Sequence, residues 1–154
     1  MPRTRLVPMS ADSFASYLEA SNIDYARDKV AAGQWSEAEA LDKAREESER
    51  LLPLGIDTPD NWLFDIVADD DLAAATPVGM LWFARQTRGG QSVAFVYDVL
   101  IEPAHQRQGH ARRAFQALEQ EVASRGMAGI ALHVFGHNSA ARALYERLGF
   151  GVTN

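Results

Sequence analysis

The chain has 154 residues, of which 47% are hydrophobic and 23% are charged, a composition typical of one globular domain with a sizeable core. Its formal net charge of −6 argues against nucleic-acid binding, which depends on neutralising phosphates, and no apolar run approaches the roughly 20 residues of a membrane span. There is no signal-peptide core at the N-terminus and no cysteine, so we expect one cytoplasmic domain over residues 1–154 that uses no thiolate.

A short strand and two helices are predicted in the first third of the chain. The strand covers residues 4–9, and Ser10 is a good N-cap for a helix that we expect to be interrupted near Ser21. A capping-box pattern that begins at Ser36 predicts the second helix, which should end before Pro53 because proline cannot continue a helix. This part of the chain contains no recognisable catalytic motif.

Three strands should follow as an antiparallel meander, over residues 62–68, 78–86 and 92–101. The Gly89-Gly90 pair is a hairpin signal between the last two, and Pro103 ends the third because proline has no N–H to donate. The first two strands are separated by the acidic run Asp69-Asp70-Asp71. Three aspartates resemble a metal site, but we interpret them as a solvated turn between strands.

The stretch Gln106-Arg107-Gln108-Gly109-His110-Ala111 lies between the third strand of this meander and an amphipathic helix. The helix is predicted from apolar residues at helical spacing, which are Ala111, Ala114, Phe115, Leu118 and Val122. The first turn of a helix has N–H groups without partners, and the helix dipole favours negative charge there. Together with Arg107 and Arg112, this stretch predicts an anion site, and we expect the anion to be a pyrophosphate.

A further strand over residues 129–135 and a last helix over 139–148, capped by Asn138, complete the predicted elements. A strand, helix, strand order implies a right-handed crossover and a parallel pair. The strands over 92–101 and 129–135 should therefore be neighbours, with the anion site at their ends. The predicted class is α+β, with a mixed, mostly antiparallel sheet.

Two motifs resemble those of the GCN5-related N-acetyltransferase (GNAT) superfamily. Residues 106–111 are similar to its Gln/Arg-x-x-Gly-x-Gly/Ala signature, and residues 138–150, Asn-Ser-Ala-Ala-Arg-Ala-Leu-Tyr-Glu-Arg-Leu-Gly-Phe, are similar to its Asn-x-x-Ala-x-x-Leu-Tyr-x-x-x-Gly-Phe ending. The resemblance implies the GNAT fold, with helices on both faces of the sheet and a splayed parallel strand pair. It also implies an acetyl-CoA-dependent N-acetyltransferase that acts on a primary amine. The alternative is an acyl-CoA-binding sensor or interaction module without catalysis.

The resemblance also implies which residues bind coenzyme A. The backbone of Val99, Leu100 and Ile101 should contact the pantetheine arm, and an amide near Leu100 or Ile101 should face the thioester carbonyl as an oxyanion donor. A bulge before Pro103 would allow the strand to splay. The other implied coenzyme A contacts are Arg107, Gln108, Gly109, His110, Ala111, Arg112 and Asn138.

Transfer to an amine requires one group that removes a proton and another that donates one to the departing thiolate. The resemblance favours the hydroxyl of Tyr145 as the general acid. His133 is at the position of a glutamate in some GNAT proteins and is one candidate base; Asp98, an acid in an apolar strand, and Glu102 are the others. Asp98 would alternatively bind the ammonium group of the acceptor. Without cysteine we expect direct attack in a ternary complex.

No metal is expected, because the two histidine pairs, His105 with His110 and His133 with His137, have no evident third ligand. GNAT proteins usually continue past the Gly-Phe ending with two more strands, and only residues 151–154 follow it here. We therefore expect an incomplete C-terminal sheet edge, and a homodimer is one hypothesis for what covers it. The acceptor is expected to be a small amine or an amine of a peptide or protein.

Overall fold

The computed structural model describes residues 3–70, 73–106 and 108–132. Within these residues the chain forms five strands and three α-helices. In chain order they are β1 (Arg3–Pro8), α1 (Ala11–Ala31), α2 (Glu37–Leu51), β2 (Asn61–Asp70), β3 (Ala73–Arg88), β4 (Gln91–Ile101), α3 (His110–Ser124) and β5 (Ile130–Leu132). Two short 3-10 turns, over 55–57 and 103–105, precede β2 and the loop before α3.

The five strands form one mixed sheet in the order β1-β2-β3-β4-β5. The first four are antiparallel, and β5 pairs in parallel with β4, with Ala94 opposite Ile130 and Val96 opposite Leu132. The α+β class, the antiparallel meander and the parallel pair between the third meander strand and the strand after the crossover helix are therefore confirmed.

Helices cover both faces of the sheet. On one face, α3 packs through Phe115, Leu118 and Val122 into a core with Phe64 and Phe83. On the other face, which we call the α1 face, α1 contributes residues to a smaller apolar cluster. Its members include Phe14, Tyr17, Leu63, Met80, Trp82 and Tyr97. Side chains alternate along a strand, so each strand supplies residues to both faces.

Two sequence-based expectations are wrong. The first long helix, α1, is continuous past Ser21, because the neighbouring Asn22 is buried and its side-chain oxygen accepts a hydrogen bond from Ser48 of α2. Asp69 lies within β2 rather than in a turn, and its carboxylate accepts a hydrogen bond from Arg5 Nε of β1 at 2.6 Å. In both cases a partner distant in sequence satisfies a polar residue that by itself suggested an interruption.

No helix in the described ranges is both long enough and apolar enough to cross a bilayer.

Candidate active site

A β-bulge in β4 determines where the carboxylate of Asp98 points. Trp82 of β3 is opposite Asp98, but the next residue, Phe83, is opposite Val96, so Tyr97 is an extra residue in β4. An extra residue reverses the alternation of side chains beyond it. As a result Tyr97 and Asp98 both lie on the α1 face, where the Tyr97 ring stacks on Trp82 with centroids 4.7 Å apart. Without the bulge, Asp98 would point into the core beneath α3.

The half-buried Asp98 carboxylate accepts a hydrogen bond from the Tyr17 hydroxyl of α1, with 2.7 Å between Oη and Oδ2. Burial raises the pKa of Asp98, while the hydrogen bonds from Tyr17 and from the Val99 N–H lower it, and the net shift is upward. Burial and the adjacent carboxylate raise the pKa of Tyr17 above its ordinary value, so the phenol keeps its proton and donates it. Asp98 is thus a carboxylate that binds a proton more readily than an exposed aspartate.

The end of β4 has one edge that does not face β3. The Glu102 N–H donates to the Val78 carbonyl of β3 at 2.8 Å. Because successive residues of an antiparallel strand direct their N–H and C=O groups to opposite edges, the N–H and C=O of Ile101 are directed away from β3. The Gln106 side chain donates to that carbonyl of Ile101 at 3.0 Å, which fastens the loop after β4 to the end of the strand.

Gly79 of β3 allows β4 to approach closely at this point. A Cβ atom at Gly79 would overlap the Leu100 carbonyl oxygen and would lie 3.1 Å from Ile101 Cα. Both neighbours are backbone atoms, so they cannot rotate away as the end of a side chain would. Position 79 therefore requires glycine if the last residues of β4 are to keep this pairing.

Gly109 is the N-cap of α3 and has a left-handed backbone conformation, with φ of 81°. The Arg113 N–H donates to the Gly109 carbonyl at 3.1 Å and is the first of the helical series. For the N–H groups of residues 109–112, the described part of the chain offers no acceptor. This turn therefore presents a group of backbone donors at the positive end of the helix dipole, which is an arrangement suited to an anion.

The side chains of His110 and Arg113 hold Gln108 in place. His110, only 3% exposed, lies 3.0 Å from Thr4 Oγ1 of β1 through Nδ1 and 3.2 Å from Gln108 Oε1 through Nε2. The Arg113 guanidinium donates to Thr4 Oγ1 at 2.8 Å and to the Gln108 carbonyl at 2.9 Å. The His110 side chain points inward, so only its backbone N–H is available to a ligand at this turn. Arg112 is exposed.

The structure brings Asp98 and the coenzyme A-contacting candidates 99–101 and 108–112 to one end of β4. Glu102 is exposed beyond the strand. Four other candidates lie outside the described residues, and they are Arg107, His133, Asn138 and Tyr145. In the described ranges no three His, Asp or Glu side chains converge as in a metal site.

A family model for the acetyltransferase (GNAT) family matches residues 25–150 of the sequence. The chain belongs to the GNAT family. It is 36% identical over 150 residues to the uncharacterized N-acetyltransferase YycN of Bacillus subtilis, an alignment that covers 97% of this chain and 93% of YycN. The crystal structure of YycN has a TM-score of 0.85 and covers 98% of this chain and 94% of that one. The protein is therefore an acetyltransferase, and its sheet and helices are those of the GNAT fold.

Two other N-acetyltransferases are similar to this chain over different lengths. The uncharacterized N-acetyltransferase YdgE of Bacillus subtilis is 30% identical over 149 residues, 97% of this chain and 92% of YdgE. The [ribosomal protein bS18]-alanine N-acetyltransferase of Escherichia coli K12 is 42% identical over 57 residues, which are 37% of this chain and 38% of that protein.

Sequence reasoning missed Tyr17 and Gly79. Ser13, Tyr17 and Ser21 recur at a spacing of four and so share one side of α1, which is a signal that could have pointed to Tyr17. Gly79 interrupts an apolar strand, which is a recognised signal for a bulge or a close backbone approach. His110 is spaced four residues from Ala114, so it is in phase with the buried stripe of α3.

Proposed function

We propose that this protein transfers an acetyl group from acetyl-CoA to a primary amine, with the backbone of residues 108–112 binding the diphosphate and Asp98 accepting the proton of the amine. The observation that supports it best is the bulge at Tyr97, which sets a half-buried carboxylate on the α1 face of β4. The loop that follows this strand leads to the N-terminal turn of α3. The candidate base and the candidate anion site thus lie on one strand and the loop that follows it.

Coenzyme A fits the donors of this turn. The N–H groups of residues 109–112, which have no acceptor within the described part of the chain, suit a diphosphate, and Gly109 keeps the approach free of a side chain. We assign Arg107, Arg112 and Asn138 to further contacts with coenzyme A, and the backbone of 99–101 to the pantetheine arm. Acetyl-CoA, when bound, supplies an activated thioester.

The reaction needs a base, because the acceptor amine must lose a proton before it attacks the thioester. A primary amine similar to lysine has a pKa of about 10.4 and is mostly protonated at neutral pH. Asp98 binds a proton more readily than an exposed carboxylate because burial raises its pKa, and this favours it over the exposed Glu102. His133 remains the other candidate base. An aspartate at this position also attracts the ammonium form before the proton is lost.

Two groups are assigned to the acyl side of the reaction. The N–H of Ile101 is directed away from β3, so we propose it, rather than that of Leu100, as the donor to the thioester carbonyl. The Tyr145 hydroxyl is proposed to donate a proton to the departing thiolate. Attack is direct, since the chain has no cysteine to form a thioester of its own.

The acceptor is proposed to be a small amine or the amine of a peptide or protein. The partial similarity to an alanine N-acetyltransferase acting on ribosomal protein bS18 makes a protein N-terminus one candidate in the panel below. A single domain over residues 1–154, a cytoplasmic location, a metal-independent reaction and a homodimer also remain predictions. Light scattering at high protein concentration tests the last of these.

The proposal is tested by incubating the protein with acetyl-CoA and a panel of polyamines, amino acids, aminoglycosides and peptides with free N-termini. Free thiol is followed in each reaction, and mass spectrometry locates the acetyl group. We expect amine-dependent thiol release and a product that carries the acetyl group on nitrogen. Tight acetyl-CoA binding without amine-dependent thiol release across the panel would favour the sensor module. Failure to bind acetyl-CoA at all would contradict the proposed function.

A further inference from the structure

Tyr17 of α1 is held both through its ring and through its hydroxyl. Its ring packs in the apolar cluster of the α1 face with Phe14, Trp82 and Tyr97, and its hydroxyl donates to Asp98 Oδ2 at 2.7 Å. An aromatic ring held in this way has few alternative rotamers. The hydroxyl is therefore a fixed donor rather than a mobile one.

A second hydroxyl one helical turn earlier makes the same kind of contact. The Ser13 hydroxyl donates to the Asp65 carboxylate of β2, 2.9 Å from each oxygen. Residues four apart lie on one side of a helix, so Ser13 and Tyr17 fasten the same side of α1 to two different strands. Asp65 is on the α1 face, but its strand β2 is separated from β4 by β3, and Asp65 is not at the Tyr97 bulge. The two hydrogen bonds thus differ in the strand that they reach.

The Asp98 carboxylate lies next to the bulge, and a hydrogen-bond partner such as Tyr17 fixes its orientation. Beyond Tyr97 the strand has changed the alternation of its side chains, and an aspartate has two rotatable bonds between its backbone and its oxygens. Tyr17 engages Oδ2 and the Val99 N–H also donates to the carboxylate, so the carboxylate is held in one orientation toward the acceptor. Among residues 3–70, 73–106 and 108–132, the charged and titratable side chains that act on Asp98 are Tyr17 and, farther along α1, Asp24.

We propose that Tyr17 is a positioning residue for Asp98: the Tyr17 hydroxyl holds the Asp98 carboxylate in the orientation in which it takes the proton of the acceptor amine. The inference rests on the proposed function, because it assumes that Asp98 is the base. It adds a residue of α1 to the reaction and makes α1 a determinant of proton transfer as well as of the fold.

The test compares Tyr17→Phe with Ser13→Ala in the full-length protein, using an acceptor found in the amine panel. Tyr17→Phe keeps the ring and removes only the hydroxyl. It should lower kcat about ten- to hundredfold, the effect of losing one hydrogen bond to a charged group, with the KM for acetyl-CoA unchanged. It should also move the acid limb of the kcat/KM profile to higher pH, because the hydrogen bond from Tyr17 lowers the pKa of Asp98. Ser13→Ala should change neither.

A double-mutant cycle separates the inference from the function on which it rests. If Tyr17 acts through Asp98, then adding Tyr17→Phe to Asp98→Asn should lower kcat no further. Independent, multiplicative losses would overturn the inference, as would a Tyr17→Phe profile with an unmoved acid limb, and both would leave Asp98 as the base. Wild-type turnover in Asp98→Asn would instead remove the base itself and the inference with it.

Discussion

Gly79 of β3 lies directly against the Leu100 carbonyl of β4, with no room between them for a methyl group. The contact lies at the end of β4, where the strand meets the loop that leads to α3. Gly79 therefore helps to set the backbone position of residues 99–101, which we assign to contacts with the pantetheine arm.

Substitution of Gly79 should therefore affect both stability and activity. Gly79→Ala forces backbone atoms of β4 to move, and overpacking of this kind costs about 1–3 kcal/mol of unfolding free energy. The unfolding free energy measured with urea and the kcat for acetyl transfer should both fall. The matched control is Gly129→Ala, where an added Cβ meets nothing within 4 Å. Equal losses in the two variants would contradict the close-approach explanation.

Gly109 and Gly126 flank α3. Comparing alanine substitutions at the two positions separates the effect of backbone strain from an effect on ligand binding. Both have positive φ, 81° and 74°, so alanine at either should cost about 1–2 kcal/mol of stability. Only at Gly109 would the new Cβ press on Arg113, 2.8 Å from Nη1. Calorimetry should show acetyl-CoA affinity falling about tenfold, the equivalent of one lost charge-assisted hydrogen bond, in Gly109→Ala alone. A similar loss of affinity in Gly126→Ala would indicate a general effect of helix stability.

Arg112 and Arg113 are adjacent but should act differently. Arg112 is exposed and would interact with a phosphate through charge alone, so the effect of Arg112→Ala on acetyl-CoA affinity should shrink as salt is added. Arg113 holds the Gln108 carbonyl and Thr4, so the effect of Arg113→Ala should persist at high salt. Titrations at two ionic strengths check this. The same salt dependence in both variants would contradict the supporting role of Arg113.

His110 should make the protein less stable in acid. Burial and the nearby charges of Arg113 and His105 lower the pKa of His110 below its ordinary value, so the folded state favours the neutral ring. Stability is present above the unfolded pKa, about 6.5, and is lost as the pH falls from there through the lower folded value. The unfolding free energy, measured with urea at several pH values between 7.5 and 5.5, should fall less steeply with decreasing pH for His110→Asn than for wild type. The same pH dependence in both proteins would show that His110 does not contribute to the loss of stability in acid.

Much of this architecture follows from the sequence because its signals are local. Ser10 and the capping box at Ser36 mark the starts of α1 and α2, and the Gly89-Gly90 pair joins β3 to β4. Each depends on residues within four positions of one another. The turn at Gly109 is equally local, since a glycine with positive φ before an amphipathic stripe is a property of a few residues.

The orientation of Asp98 could not be predicted in the same way. The sequence identified it as an acid in an apolar strand, but its face depends on a bulge, and a bulge is defined by the pairing of β4 with β3. Its partner Tyr17 is 81 residues away in the sequence. The inward orientation of His110 likewise reflects Thr4 of an edge strand, although its phase with Ala114 was already visible.

The most direct test of the account is the rate of amine-dependent thiol release by Asp98→Asn relative to wild type, measured with saturating acetyl-CoA at neutral pH. Asparagine keeps the shape of the side chain and its hydrogen bond from Tyr17, but it cannot accept the proton. If Asp98 is the base, the kcat of Asp98→Asn should be about 10²- to 10⁴-fold lower, the usual contribution of a general base, with acetyl-CoA affinity unchanged. A variant that turns over at the wild-type rate would contradict the role of Asp98 as the base.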